Sequence, residues 1–185
     1  MKDITLLLEK MKMTLTEAKG AEAFAAVLGD IATFYSDVFG LRKDEVAILL
    51  ANQEKTVLSF ACPDYLVNSG LIPVSSPDAF ASQIFRLGRG VIENNFNQVK
   101  HLLLFEYVRM GEGKKTMPIW KVMGSLLKSG EEKIGVIELS RKAPAPEETG
   151  EDFTPEQLEF LDRSIAMLTP FLVKTMPGDF RGKLT

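Results

Sequence analysis

Apolar residues recur at three- and four-residue intervals from Phe24 through Val27, Leu28, Ile31, Phe34 and Tyr35 to Val38, drawing one stripe along a long amphipathic helix. Gly40 is placed to end it, because a glycine adopts the left-handed conformation of a helix C-terminus without a Cβ clash. Upstream, Asp3 is set to cap a short helix over Ile4 to Lys12, and Thr14 with Glu17 has the capping-box spacing that opens the second helix. A stripe of this length exceeds what one small sheet covers, so the surplus predicts a face for a second copy. From Glu45 the period changes to two: Val46 to Ala51 and Val57 to Phe60 read as a hairpin about the polar turn Asn52 to Lys55. Pro63 stops the pairing, Asp64 to Gly70 reads as a turn or short helix, and Leu71 to Val74 follows as an apolar stretch. Ser76 and Pro77 predict a third helix over Asp78 to Leu87, ended by Gly88 or Gly90.

The second half reads as strands and one last helix. Phe105, Tyr107 and Val108 favour a strand over Lys100 to Val108, and Gly111 to Thr116 reads as a charged turn. Trp120 to Leu127 and Ile134 to Leu139 are two strands joined by Lys128 to Lys133, with Ser129-Gly130 as the turn. Ala143 to Asp152 is a solvated loop rich in proline and acid. Thr154 caps and Pro155 opens a terminal helix carried by Leu158, Leu161, Ile165, Leu168 and Leu172, which Pro170 is placed to bend. The tail from Pro177 carries little apolar content.

Composition narrows the function classes. The 185 residues suit one domain, and 45% hydrophobic residues provide for a packed core. A net charge of -3 supplies no large positive field for nucleic acid or anionic lipid, and no apolar run approaches the ~20 residues that span a bilayer. One cysteine and one histidine make neither an intrachain disulfide nor most of a zinc site. A cytoplasmic protein without nucleic-acid or membrane partners is the expectation.

Two phrases carry a resemblance to a known family. Gly135-Val136-Ile137-Glu138-Leu139 and the helix opening Asp152-Phe153-Thr154-Pro155-Glu156, within the helix and strand order above, resemble a GAF domain over Phe24 to Leu172. The resemblance implies an α+β, profilin-like fold: a six-stranded antiparallel sheet, N- and C-terminal helices on one face, and a pocket roofed by loops and a helix on the other. It implies an N-terminal helical extension over 1–20, a GAF-like domain over 21–174 and a flexible tail over 175–185, with a homodimer formed through the terminal helices. Phe85, His101, Phe105, Tyr107, Trp120 and Met123 are the residues expected to line the pocket and bind a small organic ligand. The cofactor and the ligand's identity are left open. Against the cyclic-nucleotide signature of such domains, Lys142 and Phe153 match, but Arg141 stands in the asparagine position and Gln157 and Leu158 in the acidic ones.

Catalytic and metal-binding arrangements are sparse. Gly88-Arg89-Gly90 has Glu93 where a dinucleotide fingerprint has its third glycine, and Gly111 to Thr116 lacks the spacing of a phosphate loop. Cys62 alone serves a thiol reductase only with an outside reductant, and buried cysteines are commonly inert. The expectation is a non-catalytic sensory or regulatory domain without a metal; the alternatives are a ligand-free interaction module or a thiol-dependent reductase resembling the free methionine sulfoxide reductases.

Overall fold

The period-two alternation of the two longest strands organises the molecule, for which a computed structural model describes residues 4–101, 107–110 and 113–177. The strands β1 (Val46–Ala51), β2 (Val57–Cys62), β3 (Ile72–Pro73), β4 (Val91–Glu93), β7 (Ile119–Ser129) and β8 (Glu132–Lys142) form one sheet in the order β3-β2-β1-β8-β7-β4, every neighbouring pair antiparallel. The strands β5 (Tyr107–Met110) and β6 (Gly113–Thr116) pair with each other in a separate two-stranded ribbon. Helices α1 (Ile4–Glu17), α2 (Gly20–Phe39) and α4 (Pro155–Thr175) pack together, and α3 (Phe80–Leu87) lies on the other side of the sheet.

Alternation assigns each sheet residue to one of two cores. In β8, Ile137 and Leu139 join Tyr35, Ile31 and Leu168 beneath the three helices, whereas Val136 joins Leu49, Ile84 and Phe80 beneath α3. Buried Tyr35 on α2 and Ser164 on α4 share a hydrogen bond of 2.8 Å between their hydroxyls, pinning the two helices where the surroundings are otherwise apolar. Thr154 caps α4 as its sequence predicts, and the structure completes a capping box there: Gln157 donates its N–H to the Thr154 hydroxyl, and the Thr154 N–H donates to the Gln157 side chain. Gly40 ends α2 at φ 62°, donating to the Ser36 carbonyl.

Several elements differ from their sequence expectation. Helix α1 runs on through Thr14, whose hydroxyl turns back to the Lys10 carbonyl instead of capping, and the break comes at Ala18 and Lys19, just before Gly20 opens α2 at φ 58°. Helix α3 starts at Phe80, not Asp78, with Ala79 as an N-cap that offers no side-chain acceptor. Near its first turn stands the Glu138 carboxyl of β8, on which the Ala81 amide exerts a weak downward pull. At its other end the Lys133 ammonium donates to the carbonyls of Phe85 at 2.6 Å and Arg86 at 3.3 Å. Strand β8 thus sets an acid near the positive end of the α3 dipole and ties a cation to its negative end. Of the strand expected over Lys100 to Val108, His101 is irregular, 102–106 lie outside the described residues, and β5 begins at Tyr107. The stretch expected to be a charged turn supplies β6, since a ladder needs only backbone donors and acceptors.

Candidate functional site

Glu138 faces α3 from the middle of the sheet, paired across the ladder with Ala47 on β1 and Gly124 on β7. An inner chamber of about 30 Å³ has walls of Phe60, Ile72, Phe80, Phe96, Ile119 and Val122, with Glu138 in its lining. A second chamber of about 110 Å³ adjoins it, sharing Ala79, Phe80, Phe96 and His101 as walls and adding Asp78, Gln83, Val91, Glu93, Val99 and Lys100. The first has room for little more than a water molecule or two, and the second approaches the ~150 Å³ that encloses benzene.

Aromatic rings divide the chambers. His101 stacks on Phe96 with ring centroids 4.1 Å apart, and Phe96 meets Phe80 edge-on at 5.6 Å. The His101 Nδ1 lies 2.6 Å from the Val99 carbonyl oxygen, fixing the ring's orientation. At the outer chamber the Lys100 ammonium pairs with Asp78 at 2.9 Å. Glu138 is only 5% exposed, and burial pushes its carboxyl up to about 7, against the weaker opposing pull of Lys142 and of the Ala81 amide. Buried Lys142 is pushed down to about 8 by desolvation and donates to the Asp44 carbonyl at 2.7 Å.

The residues predicted for the pocket are dispersed. His101 lines both chambers. Phe85 lies in the same apolar core without lining either chamber, its ring 5.5 Å from the Lys133 ammonium. Trp120 donates its indole N–H to the Ala143 carbonyl at 2.9 Å, and Met123 is buried in the opposite core beneath α1, α2 and α4. Tyr107 opens β5 in the separate ribbon, and Phe105 lies outside the described residues. Sequence reasoning missed Glu138 and Phe96 as lining residues, although each carries a signal: an acid within the apolar run Ile134 to Leu139, and one aromatic among Asn94 to Gln98.

Cys62 ends β2 half-buried, its thiol pushed up to about 11 by burial and then by the Asp64 charge, which leaves little thiolate at neutral pH. Among the described residues no group of three or more His, Cys, Asp or Glu is arranged to hold a metal ion, and no helix is long and apolar enough to cross a membrane.

No family model matches the sequence, and no curated protein matches it. Solved structures do match. The GAF domain of an Acinetobacter phosphoenolpyruvate-protein phosphotransferase is 13% identical with a TM-score of 0.64, over 94% of this chain and 96% of that one. Residues 122 to 287 of a methyl-accepting chemotaxis protein are 14% identical with a TM-score of 0.63, over 91% and 96%. The free methionine-R-sulfoxide reductase of Neisseria meningitidis, solved with its substrate, is 14% identical with a TM-score of 0.59, over 91% and 87%. The last of these corrects one expectation. The sequence points to a chain without catalysis, yet reductases stand among the structures that share its architecture, so an enzymatic activity is compatible with this fold.

Proposed function

We propose that this chain, which has the GAF fold, is a sensory or regulatory domain that binds a small organic ligand in the paired chambers beneath α3 and signals through a second copy of itself. The observation that carries the reading is the cavity: apolar and aromatic walls with one buried carboxyl, the composition that small-molecule sites use for affinity and orientation. Output through the helical layer is supported by Leu6, Met13 and Met167, which are 73%, 58% and 47% exposed on α1 and α4. An open groove of about 420 Å³ also runs between α1 and α2, lined by Leu6, Leu7 and Phe34 with Asp30 and Asp37. A ligand shifts that layer only by binding two arrangements with different affinity.

Native mass spectrometry of the protein purified from its source tests both parts. The expected result is a dimer carrying a retained small molecule, lost in Ala79→Leu, whose side chain fills the wall shared by the chambers. A protein that emerges empty, and shows no chemical-shift change at His101 or Phe96 across a metabolite panel, overturns ligand sensing. A monomer at micromolar concentration overturns the output.

A further inference from the structure

The charges around the two chambers select among ligands, an inference that rests on the cavity being the binding site. Three carboxyls, Asp78, Glu93 and Glu138, are among the described residues that line it, against one ammonium, Lys100, already paired to Asp78. That balance repels phosphates and carboxylates and favours a cation. The sizes sort the parts of such a molecule. The inner chamber takes only a small head group, and a primary ammonium is of that size; the outer one takes a short aliphatic body against Phe80, Phe96, Val91 and Val99.

Glu138 is the group that would receive the ammonium. The Ala81 amide exerts a weak pull on its carboxyl, and two carboxylate oxygens offer about four acceptor sites, so capacity remains for a donor in the chamber. A buried carboxylate gains most from a charged hydrogen-bond partner, because the dry surroundings that penalise the lone charge strengthen the pair. We propose that the ligand is a small primary amine, its ammonium seated on Glu138 in the inner chamber and its apolar body in the outer one.

Three near-isosteric probes test this: isopentylamine, isopentyl alcohol and isovalerate, titrated by NMR while following His101 and Phe96. The amine is expected to bind at least tenfold tighter than the alcohol, and isovalerate weakest. Glu138→Gln keeps an oxygen for the Ala81 N–H while removing the charge; it is expected to weaken the amine at least tenfold and to leave the alcohol within twofold.

The wild type supplies a readout independent of that variant's folding. Amine binding should fall about tenfold from pH 8 to pH 6 as Glu138 takes up a proton. Of the groups around Glu138, Ala47, Gly124 and Ala81 on the packed strands and helix carry no charge, Lys142 lies along its own strand, and His101, Asp78, Glu93 and Lys100 line the chambers. A profile that persists in Glu138→Gln assigns the effect to one of those groups and overturns the proposal. Equal affinity for all three probes overturns it too, leaving the cavity as a ligand site of another specificity. No response to any probe at His101 or Phe96 overturns both the proposal and the reading beneath it.

Discussion

Replacing Glu138 with glutamine should change the pH dependence of stability more than stability itself. In the unfolded chain this carboxyl titrates at its ordinary 4.5; in the fold, burial lifts it to about 7. Between those values the native protein holds a proton that the unfolded chain has released. Rising pH therefore draws the equilibrium towards unfolding, and this contribution is fully present below 4.5 and lost by the time the pH has passed about 7. At about 1.4 kcal/mol per pH unit, the gap amounts to about 3 kcal/mol, most of it falling between pH 5 and pH 8. Lys142 does not confuse that window, because its depressed value of about 8, against 10.5, adds stability only as the pH climbs further. Urea melts of wild type and Glu138→Gln at constant ionic strength should show the variant gaining roughly 2 to 3 kcal/mol on the wild type from pH 5 to pH 8. Two parallel curves refute the reasoning, for they mean that the native carboxyl ionises as freely as the unfolded one.

Two further outcomes follow from the cores. Ser164→Ala should destabilise by about 1 to 3 kcal/mol by leaving the buried Tyr35 hydroxyl without its partner, and Tyr35→Phe by only about 1 kcal/mol, because the Ser164 hydroxyl still donates to the Phe160 carbonyl; the double variant should lose about 1 kcal/mol less than their sum, and additive losses refute the coupling. Gly124→Ala places a methyl group against Ile84 Cδ1 and the Ile137 carbonyl, so chemical denaturation should show a loss of about 1 to 3 kcal/mol, and an unchanged midpoint refutes the close approach of α3 to β7.

Much of the architecture was legible because it rests on local rules. The α2 stripe, its Gly40 stop, the Thr154 cap and the hairpin turn between Lys128 and Lys133 are each set by a few neighbouring residues, and each stands where those residues place it. Strand β4 was not legible: Val91–Glu93 is three residues long and exists through its ladder with β7. The start of α3 escaped because Ala79 offers no side-chain acceptor to mark it, and the acid near its first turn, Glu138, lies far along the chain. The pocket lining suffered most from strand parity. Ile119 and Val122 both reach the inner chamber although they are three apart, because the ladder is irregular between Ile119 and Lys121 and the alternation is reset there. Met123 therefore faces the helices, and no pattern in the residue types announces the bulge.

The Lys133 attachment of α3 bears on how the proposed ligand would get in or out. A roof fastened at its far end does not lift there without parting an ammonium from two carbonyls. On the binding proposed above, traffic should pass the flank where Phe96, Lys100 and His101 form the wall. Residence time at this threshold should follow the stacked rings.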